Sequence, residues 1–250
     1  FTRGAGGDLK SPTSTQNFKI KGTNIMAKDW FAWHDLYNSQ ELLQQRLVIV
    51  QKYISNSLDD APAGTIQFVS ACSGDGRDLL GVLETHPRAK DVRARLVELD
   101  PKLVERGKEA IAKLGLTNQI EFINGDATLT SAYVGAVPAD IVIIVGVLGN
   151  LPNQEVLQKL IRNLAYFSKT GAFAIWTRGQ RDGFNHAKRV REIFQENNFS
   201  EVDFQFTATD NLQAVGRHRF DGQTIAKPLD EKFFEFTGTP ETARLLVSTP

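Results

Sequence analysis

Three short segments carry residues whose types and spacing suit the grip of a small ligand, and each follows a stretch of β-forming residues. The first is ACSGDGRD, residues 71–78, in which Gly74 and Gly76 are separated by one residue. Glycines so placed permit a tight turn and close approach of a ligand to the backbone, and the helix that follows offers N–H groups to a carboxylate or phosphate. Glycines in such turns also serve conformation alone. The second segment is VELDP, with Glu98 lying 22 positions beyond Gly76. An acid about 20 residues past a glycine loop is where a dinucleotide-type fold takes ribose, because one carboxylate accepts hydrogen bonds from both hydroxyls of a cis-diol. Asp100 suits a ligand contact or a helix N-cap, since Pro101 follows it. The third is GDA, where Asp126, taken singly, is a turn residue. Together, at the ends of three successive strands, the three argue for one site.

Groups able to act on a second ligand lie elsewhere. Trp30, Trp33, His34 and Tyr37 form an aromatic cluster with one titratable imidazole. Read functionally, this helix covers the site, shapes an apolar pocket with Trp30 and Trp33, and brings His34 or Tyr37 to a nucleophile; read structurally, the rings anchor the helix. Asn150, Arg178 and His218 are further candidates for substrate contact, each with a structural alternative. Cys72 beside a helix N-terminus stands where a thiol pKa can fall, but its position suits a backbone contact better than a nucleophile. Asn150 does not open an NPPY-type sequence.

The elements that must position these residues follow from apolar periodicity. Two helices come first, one bearing Trp30, Trp33 and Tyr37 and one bearing Leu43, Leu47, Val50, Ile54 and Leu58. The turn DDAPAG then gives way to alternating strands (66–71, 95–99, 120–124, 141–145, 172–177) and helices (77–85, 101–114, one opening at Asn153, 186–197). Residues 202–206 alternate apolar with polar, a turn-like ATDNL follows, and 214–220 returns as an antiparallel partner. The pattern predicts an α/β, Rossmann-like doubly wound, mostly parallel seven-stranded sheet with a C-terminal antiparallel hairpin and an N-terminal helical lid. It divides the chain into a loose arm (1–24), the lid (25–62) and the main domain (63–250).

Composition narrows the function classes. At 250 residues, with 41% hydrophobic and 23% charged side chains, the chain is long enough for one substantial core. Lys plus Arg and Asp plus Glu both number 29, so no global basic field favours a phosphate backbone. No apolar run reaches the roughly 20 residues that span a bilayer. The reading is a soluble, cytoplasmic protein without nucleic-acid or membrane partners. Cys72 is the only cysteine, which excludes an internal disulfide and a multi-cysteine zinc site; no metal is expected.

From about residue 66 to 206 the sequence resembles the class I S-adenosylmethionine-dependent methyltransferases, carried by VSACSGDGRD, LVELDP, INGDA and IVIIVGVLGN in this order. WHxxY ahead of GDGRD is similar to a bacterial subgroup of that family. The resemblance implies S-adenosyl-L-methionine as cofactor, with backbone contacts at Ala71, Cys72, Ser73, Gly74 and Gly76, the ribose at Glu98, and the adenine amino group at Asp126 beside Ala127. It implies that 146–150, from Gly146 to Asn150, lines the sulfonium. The family usually has an acid where Ser70 stands and a glycine where Cys72 stands, and Asp75 or Asp78 could compensate. Asp78 and Asp100 complete the expected cofactor set. The longer nicotinamide fingerprint wants a glycine where Leu79 stands.

Methyl transfer from a sulfonium is an in-line displacement, in which alignment supplies roughly 7–11 kcal/mol of barrier. A dedicated base is optional. The expectation is methylation of an oxygen or nitrogen of a small molecule, against two alternatives: a non-catalytic S-adenosylmethionine-binding partner protein, and an NAD-dependent oxidoreductase.

Overall fold

The structure, a computed structural model, describes residues 30–35, 40–180, 186–208 and 212–236. The expected arm and Tyr37 lie outside these residues, as do the side chains of Trp30 and Trp33. In chain order the elements are α1 (Trp30–Asp35), α2 (Glu41–Asp60), β1 (Ile66–Ala71), α3 (Arg77–Leu83), β2 (Val92–Glu98), α4 (Pro101–Lys113), β3 (Ile120–Asn124), β4 (Ala139–Ile144), α5 (Gln154–Phe167), β5 (Ser168–Gly179), α6 (His186–Glu196), β6 (Phe199–Phe206) and β7 (Gln213–Phe220). The strands form one seven-stranded sheet in the order β3-β2-β1-β4-β5-β7-β6. β1 to β5 run parallel, and β7 pairs antiparallel with β5 on one side and β6 on the other. This is the doubly wound sheet with one reversed strand that the sequence predicts.

The sheet is buried on both faces, which is why its central strands read as apolar runs rather than alternating ones. Successive residues nevertheless part to opposite cores. Phe68, Ile141, Ile143, Ile175 and Val215 join one cluster with α2, α3 and α4, while Val69, Val142, Ile144, Trp176 and Ala214 join the other with α5 and α6. α2 contributes Val50, Tyr53, Ile54 and Leu58 to the first cluster. It is a layer of the core. It also reaches the start of α3, where Gln51 donates to the Arg77 carbonyl at 3.1 Å.

Several boundaries differ from the sequence pattern for identifiable reasons. β2 begins at Val92 rather than 95 because Arg93 and Arg95 face outward, Arg95 pairing with Glu121 of β3. β5 runs over twelve residues because β7 pairs with it from Phe173 to Gly179 and Ala139 pairs with Ser168. α3 stops at Leu83, two residues short of expectation. After β7 the chain returns across α5 and buries Phe233 and Phe234 in the core, a feature the periodicity does not announce. Among the described residues no helix is long and apolar enough to cross a membrane.

Candidate functional site

Strand order reverses between β1 and β4. The crevice beyond their carboxyl ends is where open parallel sheets take ligands. The loop leaving β1 is built on an alternation of left-handed residues: Cys72, Gly74 and Gly76 have φ of 56, 57 and 77 degrees. Cys72 therefore adopts the conformation that favours glycine, at a cost of roughly 1–2 kcal/mol, and the loop keeps its shape despite the substitution. Between them Ser73 continues the β1–β2 ladder. Its N–H donates to the Val97 carbonyl at 3.0 Å and its Oγ accepts from the Val97 N–H at 3.0 Å.

Glu98, at the end of β2, ties three loops together. Its Oε2 accepts from Gly74 N at 2.9 Å, its Oε1 from Leu99 N and Asp100 N at 2.9 and 3.0 Å, and its carbonyl from Gly125 N at 2.9 Å. Burial raises its pKa, and the three amide hydrogen bonds oppose that rise. A carboxylate has about four acceptor positions, so in this arrangement one remains, on Oε2. Among the described residues that leaves room for one further donor unless Gly74 releases Oε2, where the sequence suggested a two-pronged grip.

The remaining acids separate by their partners. Asp126 Oδ1 accepts from Thr128 N at 2.9 Å and Thr128 Oγ1 at 2.7 Å, whereas Oδ2 accepts from no described residue. The turn reading and the ligand reading of Asp126 are thus compatible. Asp100 caps α4 by accepting from Lys102 N at 2.9 Å. Burial would raise Asp75, but the hydrogen bonds and charge of Arg77, together with His34, hold the carboxyl below its usual value. Asp75 is therefore spoken for. Burial lifts Asp78 to about 6, against the attraction of Arg46.

Across the crevice, Gly146 turns the chain after β4 with φ of 77 degrees and donates its N–H to Thr177 Oγ1 at 2.8 Å. Asn150 Nδ2 closes the turn onto the Gly146 carbonyl at 2.7 Å. Arg178, at the end of β5, lies over Gly149, where a Cβ would come within 2.9 Å of its guanidinium. Asn150 and Arg178 are thus neighbours.

α1 stands over the glycine loop. A Cβ at Gly74 would lie 2.0 Å from His34 Nε2, so the imidazole is seated against the bare backbone. Arg106 of α4 holds α1 there, donating to Asp35 at 2.9 Å and placing its guanidinium 4.2 Å from the Phe31 ring.

One expectation is corrected. His218 is not at the crevice: it is 1% exposed, accepts from Trp176 Nε1 at 3.1 Å on Nδ1, and stacks on Phe194. Burial pushes its pKa down to about 4, so it is a neutral core residue. The Cys72 thiol is pushed up by burial and then by Glu98 and Asp126, which agrees with its reading as a backbone contact rather than a nucleophile. Sequence reasoning missed Asn124, whose amide donates to the Glu98 and Leu99 carbonyls at 3.2 and 2.8 Å and joins two site loops. An amide side chain directly before GD was its only signal. It also missed Arg106 and Tyr133, whose contacts arise from residues remote in sequence.

A family model described as "Putative methyltransferase" matches residues 40–181, more than half of the chain. The chain belongs to this methyltransferase family. No curated protein matches it in sequence. Among solved structures it is similar to the magnesium protoporphyrin IX methyltransferase of Synechocystis PCC 6803 with bound SAM, at 17% identity and a TM-score of 0.58 over 79% of this chain and 100% of that one. It is also similar to 1,6-didemethyltoxoflavin-N1-methyltransferase of Burkholderia thailandensis, at 15% identity and 0.55 over 77% and 84%. A third is the N-methyltransferase NodS of Bradyrhizobium japonicum WM9, in complex with S-adenosyl-L-homocysteine, at 16% identity and 0.53 over 74% and 91%. At these identities the likeness is one of fold, and the methyltransferase fold accounts for the sheet order and its reversed strand.

Proposed function

We propose that the protein transfers the methyl group of S-adenosylmethionine to an oxygen or nitrogen of a small cytoplasmic molecule. The observation that carries the reading is the junction at Glu98, where one buried carboxylate joins the glycine loop, the end of β2 and, through its carbonyl, the loop after β3. The residues fit the cofactor's parts. The backbone of 71–76 takes the methionine end, the last acceptor position on Glu98 takes a ribose hydroxyl, and Asp126 Oδ2 with the Ala127 N–H takes the adenine edge. Asp78 drops out of this set, its carboxyl facing Arg46, whereas Asp100 caps α4 with Oδ1 and keeps Oδ2 for the ribose.

The bound cofactor supplies an electrophilic methyl on a sulfonium. Everything else falls to the chain: 146–150 and Arg178 form the acceptor side, and α1 closes the crevice against water. His34 is the base for a hydroxyl acceptor, a role that contributes roughly a hundredfold to ten-thousandfold.

The test is calorimetric titration with S-adenosylmethionine and, separately, NAD, on wild type and Glu98→Ala. Binding of the sulfonium cofactor alone, weakened by the substitution, supports the proposal. Binding of NAD alone overturns it, and cofactor binding without turnover on a broad panel of small acceptors replaces the enzyme with a binding protein.

A further inference from the structure

Residues 221–236, after β7, form no helix or strand of their own, yet they are firmly placed. Thr224 Oγ1 donates to the Ser168 carbonyl at 2.6 Å and Ile225 N to the Ala165 carbonyl at 3.2 Å, which carries the segment across the end of α5. It then pairs with the loop after β3. Thr130 N donates to the Glu231 carbonyl at 3.0 Å, Phe233 N donates to the Thr128 carbonyl at 3.0 Å, and Leu129 faces Lys232 in an antiparallel bridge. Thr130 Oγ1 donates to the Pro228 carbonyl at 2.7 Å and accepts from Glu231 N at 3.0 Å.

Hydrogen bonds between two exposed loops would compete with water on nearly equal terms. Here they are sheltered. Phe233 and Phe234 are 1% and 0% exposed, the Phe233 ring lies 4.6 Å from that of Phe167, and the buried Asn163 donates to the Phe233 carbonyl at 3.0 Å. Tyr133, edge-on to both Phe167 and Phe233, donates to the Ala127 carbonyl at 3.0 Å. Residues 127, 128 and 130 are therefore held through their backbone, and Thr128 in turn holds Asp126 Oδ1 with its N–H and its hydroxyl.

We propose that residues 221–236 form a positioning strap for the base end of the cofactor pocket, in which Asn163 and Phe233 fix Thr128 and thereby aim Asp126 Oδ2 at the exocyclic amine of the bound nucleoside. The strap lies beyond the family-matched residues 40–181. The proposal rests on the cofactor reading above. Without the strap Asp126 remains, but its free oxygen loses its direction, and the cost falls on recognition of the amine rather than on the rest of the ligand.

The experiment compares S-adenosylhomocysteine with its S-inosyl counterpart, which carries a 6-oxo group in place of the 6-amino group, by calorimetry on wild type, Asn163→Ala, Thr128→Val and Thr128→Ser. Wild type is expected to prefer the adenosyl ligand by about tenfold, the equivalent of one oriented hydrogen bond. Asn163→Ala and Thr128→Val are expected to bring that ratio towards one by weakening the adenosyl ligand alone, and Thr128→Ser, which keeps the hydroxyl, to restore it. Equal weakening of both ligands, or a lower melting temperature with the ratio intact, shows a merely structural tail and overturns the proposal. So does a wild type that binds both ligands equally, which leaves the cofactor reading standing. A wild type that binds neither removes both.

Discussion

The rim at the carboxyl ends of β1 to β3 and the wall made by β5, β7 and β6 both bury polar side chains, and they use them in opposite ways. In the wall, Arg217 is 4% exposed and its guanidinium is consumed by Asp203 at 2.7 Å, Asp60 at 2.8 Å and the face of Phe173. His218 beside it is closed off by Trp176 and Phe194. In the rim, Glu98 is 9% exposed and still has an acceptor position to give, and Asp126 has a whole oxygen. Burial and residue type do not separate the two regions. Hydrogen-bonding capacity left over after folding does, and in the rim it faces a crevice.

Substitutions in the wall are therefore expected to act on stability and those in the rim on binding, in descending size as follows. Arg217→Ala removes a buried side chain with its packing on Phe173 and its charged hydrogen bonds to Asp203 and Asp60, and is expected to cost about 3 kcal/mol of unfolding free energy in urea, with cofactor affinity unchanged in the folded protein; a matching loss of affinity would break the distinction. Glu98→Ala is expected to weaken cofactor binding by about thirty- to a hundredfold through the loss of a charged acceptor and of its hold on Gly74, measured by calorimetry.

The pH dependence sharpens the contrast. Because burial holds His218 at about 4 in the fold against 6.5 when unfolded, the unfolded chain gains protons first as pH falls below 6.5. Its contribution to stability therefore declines from pH 6.5 down to about 4, by about 2 kcal/mol at pH 5. Asp78 runs the other way, its folded value of about 6 lying above its unfolded value of 3.8, so its contribution rises as pH falls through the same window. His218→Gln should then leave a protein whose urea midpoint falls less between pH 7 and 5, with cofactor affinity at pH 7 unaltered; an unchanged pH profile would return His218 to the list of exposed residues. The smallest effect expected is at the rim's one strained non-glycine residue. Cys72→Gly releases a left-handed residue at the cost of a half-buried side chain and a floppier unfolded chain, for a net change below about 1 kcal/mol in a thermal melt.

How far the sequence could be read depended on whether a residue's partner was near it in the chain. β1, β3, the Asp100 cap and the terminal hairpin follow from local pattern, and all three acids stand at strand ends as expected. The first half of β2 was hidden because Arg93 and Arg95 interrupt the apolar signal, and only the cross-strand Glu121 explains Arg95. His218 misled because a histidine on a strand reads alike whether it faces solvent or a tryptophan. The seat of His34 on Gly74 needed three dimensions, since 40 residues separate them. The tail after β7 was illegible for another reason: Ile225, Leu229 and Phe233 recur every four residues as on a helix face, yet residues 221–236 form no helix, and only Phe233 and Phe234 are buried, by the core surface they land on.

The insertion of β7 between β5 and β6 also sets an order of events for a chain growing from its amino end. β6 emerges before the strand that gives it its place in the sheet, and until β7 arrives β5 presents a bare row of amides and carbonyls. A nascent chain halted before Gln213 thus carries an exposed strand edge of the kind that recruits neighbours, and the hairpin's quick local closure is what ends that interval.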